Sequence, residues 1–415
     1  MTALEPHFFR RESGRMIATL VRVLGVHHYA LAEDVVQDTL CRALEVWKFS
    51  GPPANPSAWL AAVARNRAFD LLRRDKTART YAPELGRLLD SEWTLVAGAD
   101  ELFHQSAPRD DELRMMFSVC QPRLTEEAQI ALVLHSLCGF SVAEIAAAFF
   151  ASAAAIEKRL TRAKAALAES RTLFELTDAN LGARLGTVNA AIYLLFNEGY
   201  HGASATVAVR EQLCAEALRL VMLLVEHPRT STPATHALAA LLCLHAARLP
   251  ARVSPEGELR SLFEQDRGAW DRNLVARGLE LLDLSASGDE LTEYHLEAAI
   301  ASHHARAARR DDTAWREIVA LYDLLAQMRP SPVVRLSRAI AIAELEGPVR
   351  GLAELEAIDG RELLARYPFY EAALGEMRLR TQQHALAHRH FTAAGLLARS
   401  PMERRFFEQR ARACE

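Results

Sequence analysis

The chain has 415 residues, half of them hydrophobic and a quarter charged, with 19 glycines, 16 prolines and a formal net charge of −4. At roughly 100–200 residues per domain this is a globular protein of two to four domains, and its balance excludes collagen-like, disordered and low-complexity classes. No apolar run reaches the ~18 residues needed to cross a bilayer, and Met1-Thr-Ala-Leu-Glu-Pro6 lacks a basic stretch leading into an apolar core, so a cytoplasmic protein without membrane association is expected.

Helical periodicity dominates in chain order. Apolar side chains at Leu31, Val35, Leu40 or Ala43, Leu44 and Trp47 recur near 3.6 residues and predict a helix over Leu31–Trp47. Phe49-Ser-Gly-Pro-Pro-Ala-Asn-Pro56 is dense in breakers and predicts a loop. Ser57 then stands where a cap is needed for a helix reaching Lys76, with Leu60, Val63, Ala64 and Leu71 on one stripe. Periodicity fades from Tyr81 to Asp110, the first linker. Helix resumes over Asp111–Val119, Pro122 stops it, and Thr125-Glu-Glu caps the next, Ala128–Leu137. Cys138-Gly139-Phe140 is a short turn, Ser141-Val-Ala-Glu144 has capping-box spacing, and another helix runs from Ser152 to near Leu173.

Beyond Thr177 the helices become rich in Ala and Leu. All four lysines precede residue 165, and the rest of the chain uses arginine alone. Breaks near Asn197–Gly202, His227–Pro233, Pro250–Gly257, Ser285–Asp289, Pro330–Pro332 and Gly347 suit stacked helical hairpins. Residues 368–401 approximate a tetratricopeptide repeat, with Leu374-Gly375, Ala387, Phe391 and Ala394 at the expected offsets; Trp315 and Tyr322 share that repeat's Trp-to-Tyr spacing.

Local charge departs from the near-neutral whole. Residues 61–80 carry six basic side chains against Asp70 and Asp75, residues 81–112 carry eight acids against Arg87 and Arg109, and Lys158, Arg159, Arg162, Lys164 and Arg171 face only Glu169. Two basic patches thus flank an acidic connector. Cys41, Cys120, Cys138, Cys214, Cys243 and Cys414 form no C-x-x-C pair and read as buried or free thiols. His384, His388 and His390 have no acidic or cysteine partner nearby in sequence, so neither a metal nor a cofactor is expected.

Two constellations carry chemistry. On a helix, Asn66, Asp70, Arg73, Arg74 and Thr77 share a face. Asp70 would hold one arginine, leaving the other guanidinium for phosphate and Asn66 for a base edge, although a solvated basic face explains such a run on its own. Phe140–Ala168 fits a helix-turn-helix: Ala146 is the small residue the first helix needs for close packing, and Ile156 seats the second, whose N-terminal end would enter a major groove. A helical hairpin without a DNA role fits the second pattern equally well. No Gly-rich phosphate loop, metal cluster or nucleophile–base spacing is recognisable, so an enzyme is not expected. Glu198 and the Asp266–Arg267–Asp271 group read as a structural salt-bridge network.

Residues 8–173 resemble the extracytoplasmic-function sigma factors of bacterial RNA polymerase. Leu31-Ala-Glu-Asp-Val-Val-Gln-Asp-Thr-Leu-Cys-Arg-Ala-Leu44 is similar to the family's clamp-binding helix, Trp59–Arg74 to its promoter −10 helix, and Gly139–Ala168 to its −35 helix-turn-helix. Asn197-Glu198-Gly199-Tyr200, Phe263–Asp271 and Tyr294–Ile300 resemble the C-terminal extension of sigma factors bearing tetratricopeptide-like helices. The resemblance implies that Asp34, Gln37, Asp38 and Arg42 dock the β′ clamp of core polymerase, while the −35 domain meets its β flap. It implies that Lys48, Asn55, Arg65, Asn66, Arg73 and Arg74 hold the −10 strand, with loop Lys48–Pro56 capturing a flipped base and Trp59 a core anchor or a support beneath it. Ser152, Lys158, Arg159, Arg162 and Lys164 would hold −35 DNA, and the acidic connector would thread a basic channel otherwise used by RNA.

This chain departs from the family at the helix-turn-helix turn, where Phe149-Phe150-Ala151 stands in place of the common glycine. Phenylalanine at positive φ would be an outlier, so another turn shape is expected. Ser152-Ala-Ala-Ala155 offers few base-reading groups, so −35 readout is expected to rest on Lys158, Arg159, Arg162 and shape.

The expectation is therefore an all-α protein with a region-2-like domain over residues 1–80, an acidic linker over 81–110, a helix-turn-helix domain over 111–176 and a tetratricopeptide-like domain over 180–415. Its expected function is promoter-specific transcription initiation, with intramolecular contact between the C-terminal domain and the promoter domains modulating activity. The rivals are a helical-repeat scaffold with a vestigial promoter half, and an enzyme housed in residues 180–415.

Overall fold

The computed structural model describes residues 8–74, 108–149, 151–169, 178–201, 209–254 and 257–415. Among them are nineteen α-helices and no strand beyond one isolated bridge between Val253 and Leu259. The all-α expectation holds. The chain divides into two compact units, Met1–Leu195 and Phe196–Glu415.

The first unit opens with α1 (Phe8–Leu24), α2 (Tyr29–Ser50) and α3 (Pro56–Arg74). Helix α2 is longer than its apolar run. It buries Tyr29, Ala32, Val35, Val36, Thr39, Ala43 and Trp47. Leu44, assigned to the apolar stripe from sequence, is instead 59% exposed, because the packed stripe leaves the helix through Ala43 and Trp47. Trp47 stacks on Phe9 at 5.6 Å and meets Trp59 at 5.3 Å, so one aromatic cluster ties the three helices together. The N-terminus of α3 is capped by Asn55, whose Oδ1 accepts from the Ala58 amide at 3.1 Å, and not by Ser57. Pro56 occupies the first helical position, where its missing N–H costs nothing. The buried stripe is Leu60, Ala64 and Ala68; Val63 and Leu71 are only half-buried.

Then come α4 (Pro108–Val119), α5 (Glu126–Ser136), α6 (Val142–Ala148) and α7 (Ala153–Ala168). Residues 81–107 of the acidic linker lie outside the described residues, and Pro108–Asp110 begin α4. Thr125 precedes α5 without a side-chain cap bond. The capping box before α6 is formed in full: the Ser141 amide donates to Glu144 Oε2 at 2.8 Å, and the Glu144 amide to Ser141 Oγ at 3.3 Å. Ser141→Ala is expected to destabilise this domain by about 0.5–2 kcal/mol, which thermal unfolding of the variant would measure. Helix α8 (Asp178–His201) runs straight through Asn197–His201, where sequence placed a break.

The second unit comprises α9 (Glu211–Glu226), α10 (Pro233–Ala246), α11 (Leu249–Arg252), α12 (Arg272–Ser285), α13 (Glu293–Arg306), α14 (Trp315–Met328), α15 (Pro332–Glu346), α16 (Pro348–Glu356), α17 (Pro368–Arg380), α18 (His384–Leu397) and α19 (Pro401–Arg412). From α12 onward each helix packs on the next, the nearest-neighbour contact pattern of a helical repeat array. The tetratricopeptide offsets mark real interfaces: Ala387, Phe391 and Ala394 are buried, and a Cβ at Gly375 would lie 3.1 Å from the Phe391 ring. Asp266 and Asp271 serve as caps, and neither has a salt-bridge partner among the described residues. Asp266 Oδ1 accepts from the Gly268 amide at 2.8 Å, and Asp271 Oδ1 from Asn273 and Leu274 at 2.9 and 3.1 Å. Arg267 donates to the carbonyls of His304 and Ala307, and Glu198 pairs with Arg210. His390 Nδ1 lies 2.8 Å from Glu371 and His388 Nε2 3.6 Å from Glu415, carboxylates that their sequence neighbourhood does not reveal.

Candidate nucleic-acid interface

Helix periodicity splits α2 into two faces. Opposite the buried stripe, Asp34, Gln37, Asp38, Cys41, Arg42 and Glu45 recur three or four residues apart and are all exposed, followed by Lys48 and Phe49. Phe49 is 86% exposed, so this polar face ends in an apolar knob. Sequence reading missed the partner of Asp38: Arg67 on α3 donates to its Oδ2 at 3.0 Å. Both groups are well exposed, so the pair contributes under about 1 kcal/mol and yields readily to a stronger partner.

On α3, Asn66 and Asp70 are exposed and Arg65 is half-buried. The Arg73 and Arg74 side chains, with their expected pairing to Asp70, lie outside the described residues. Asn55 is exposed, and one lone pair of its carboxamide oxygen is engaged as a helix cap, so its amide donors and a second lone pair remain to meet a base or phosphate.

The helix-turn-helix folds as its pattern requires. Ile145, Ala146, Ile156, Leu160, Ala163 and Leu167 bury the seam between α6 and α7. The Ala151 amide donates to the Ala146 carbonyl at 2.9 Å and closes the turn, and neither Phe149 nor Ala151 takes a positive φ. Ser152 Oγ accepts from the Ala155 amide at 3.2 Å, so this hydroxyl caps α7 and has its proton left to donate. Lys158 and Arg162, four residues apart, are exposed on one face. Arg159 differs: its guanidinium lies 5.4 Å from the Phe149 ring and is half-buried, which ties it to the turn. Lys164 is drawn inward, 2.6 Å from Glu33 on α2.

That last contact belongs to a continuous seam. Glu33 also lies 3.4 Å from His135 and accepts from the Tyr29 hydroxyl at 2.8 Å; the same hydroxyl meets Ser136 of α5. Burial and the Glu33 carboxylate hold the Tyr29 phenol well above its ordinary pKa, so it stays protonated as a donor. Along α1, Arg10 reaches Glu144 at 3.3 Å, Arg15 reaches Glu112 at 3.5 Å and Arg22 reaches Asp111 at 3.0 Å. Asp111 and Glu112 close the acidic stretch read from sequence, but they are buried ion-pair partners rather than solvated linker charge. A Cβ on Gly14 would fall inside 3.0 Å of the Leu137 carbonyl, and one on Gly139 would lie 2.7 Å from Arg10 Cγ. Glycine therefore permits backbone approach from both sides of the seam.

Three family models match the chain. The one described as Sigma-70 region 2 covers residues 8–78, the one described as Sigma-70, region 4 covers 115–167, and a family of unknown function (DUF6596) covers 184–286. An uncharacterized protein of Rhizobium meliloti (strain 1021) is 39% identical over 377 residues, which span 90% of this chain and 87% of that protein. No solved structure matches.

Proposed function

The chain belongs to the sigma-70 family, with a C-terminal helical extension, and on that premise we propose that it is an extracytoplasmic-function-type sigma factor whose extension regulates it in cis. Membership makes it a transcription initiation factor, with core RNA polymerase and promoter DNA as partners. The observation that supports polymerase and promoter binding is the pairing of two exposed surfaces, the Asp34–Gln37–Asp38–Arg42 face of α2 and the Lys158–Arg162 face of the helix-turn-helix.

In this reading the α2 face docks the β′ clamp, and Arg67 releases Asp38 to do so. The loop between α2 and α3, with Lys48, Asn55, Arg65, Asn66, Arg73 and Arg74, holds the −10 strand; α7 holds the −35 duplex, with its domain on the β flap. The protein melts DNA by binding energy, in the cytoplasm where polymerase works, and performs no covalent chemistry of its own.

The same reading makes the packed seam an off state. Both α3 and α7 pack on α2, a helix of 22 residues and so about 33 Å long. Elements near −10 and −35 lie about 25 base pairs apart, or ~85 Å along B-DNA. The two reading helices cannot reach both while packed on one short helix, so the seam must part on the promoter.

Run-off transcription with core polymerase and the full-length chain on selected promoter fragments tests the assignment. Promoter-specific transcripts are expected, and Asp34→Lys with Asp38→Lys should abolish both transcription and co-elution with core. No transcript and no co-elution from the unaltered chain would leave a helical-repeat scaffold with a vestigial promoter half.

A further inference from the structure

Within the C-terminal unit, cationic side chains from separate elements converge, with no carboxylate among the described residues paired to Arg248 or Arg252. Tyr200 stands in the last turn of α8, His245 at the end of α10, Arg248 and Arg252 around α11, Trp270 before α12 and His304 in the last turn of α13. Arg252 lies 4.1 Å from the centre of the Tyr200 ring, His245 5.4 Å from the same ring, and Arg248 5.6 Å from the Trp270 ring. Arg248 instead donates to Gln265 Oε1 at 3.2 Å, and Arg252 meets His201 Nδ1 at 3.4 Å. The nearby carboxylates have other engagements, Glu198 with Arg210 and Glu403 with Arg399.

The polar inventory is as lopsided as the charge. The Tyr200 hydroxyl, Trp270 Nε1 and Arg252 Nε are buried donors without an acceptor, and His245 Nδ1 and His304 Nδ1 are buried without a partner. Tyr200 and Trp270 are only 2% and 3% exposed, so water does not compensate them as it would on a surface. Burial first, and the neighbouring guanidiniums second, push His245 and His304 down to about 3, so both imidazoles are neutral.

We propose that this cluster is a binding site for a small oxyanion, a phosphate or carboxylate group, received by Arg248 and Arg252 with the Tyr200 hydroxyl and the Trp270 and histidine nitrogens around it. An acceptor would complete the three buried donors, and negative charge would offset two half-buried guanidiniums set against buried aromatic rings. The site lies wholly within Phe196–Glu415 and is independent of how the promoter half acts. It gives the extension a means of sensing a small anionic molecule.

Thermal unfolding and titration calorimetry of the full-length chain with inorganic phosphate and with succinate, at ionic strength held constant with sodium chloride, test this. Saturable binding of at least one probe is expected, with the unfolding midpoint of this unit raised by about 3–6 °C at ten times the dissociation constant. Response to phosphate alone or to succinate alone assigns the anion class. Arg252→Gln should weaken binding by about 10- to 100-fold, the loss of a charge-assisted contact, and Arg252→Lys should recover part of it. If Arg252→Gln fails to fold, His245→Gln carries the same test. No saturable response to either probe in the unaltered chain, or a response unchanged in the folded variants, would overturn the proposal and leave the cluster a structural cation–aromatic assembly.

Discussion

Gly14→Ala is expected to part the seam of the N-terminal unit and raise the apparent affinity for core polymerase. The added methyl meets the backbone carbonyl of Leu137, which cannot rotate away as a side chain would. Overpacking of that kind costs about 1–3 kcal/mol. Alanine also favours helix over glycine by about 0.8–1.0 kcal/mol, but α1 is helical whether the seam is closed or open, so that gain cancels from the equilibrium. What remains is a shift toward the open form of about 5- to 150-fold. Polymerase affinity should improve by up to that factor, and solution scattering should show a larger radius of gyration at unchanged helix content. Gly186→Ala is the control, because a Cβ there meets nothing within 4 Å: it should stabilise α8 and leave compactness alone. A Gly14→Ala protein as compact as the parent, with unaltered polymerase affinity, would show that the seam does not gate the promoter surfaces.

That seam is also where sequence was least informative. The helix-turn-helix was readable because its determinants are local: a capping box over the four residues Ser141–Glu144, a small residue at 146 and an apolar one at 156. Asp34, Asp38 and Arg42 were legible through the resemblance to the sigma-factor clamp helix, and 3.6-residue periodicity accounts for their sharing one exposed face of α2. Arg10 and Glu144, by contrast, are 134 positions apart, and nothing in the composition of either neighbourhood names the other. Charge patterning misled for Asp111 and Glu112, because a run of acids looks alike whether it faces solvent or buried arginines. It also missed that Lys164, grouped with the basic face of α7, is held by Glu33. In the C-terminal unit the helical array was legible from breaks and small-residue offsets. The cluster around Tyr200, His245 and Arg252 was not, being assembled from the ends of helices distant in sequence.

The second large effect is expected at α7, where position on one helix separates two arginines into different roles. Lys158→Ala combined with Arg162→Ala should lower promoter affinity by on the order of 100- to 10,000-fold, the loss of two charge-assisted phosphate contacts. The slope of log affinity against log salt should fall by about 2, since each phosphate neutralised on B-DNA contributes about 0.9. Because such contacts position and do not read sequence, specific and non-specific fragments should weaken together. Arg159→Ala should behave otherwise. Its guanidinium sits against the Phe149 ring, half-buried, so its removal loosens the turn that holds α7 on α6. The cation–aromatic contact contributes about 0.5–2 kcal/mol, and the expected readout is a lower unfolding midpoint with an unchanged salt slope. Salt titrations of the three proteins on one promoter fragment separate these outcomes. An Arg159→Ala slope reduced by a full unit would place this guanidinium on a phosphate. Unchanged affinity and slope in the Lys158, Arg162 double variant would remove this face of α7 from the DNA altogether, leaving only its N-terminal turn, with the Ser152 hydroxyl and the Ala153–Ala155 methyl groups, to meet the promoter.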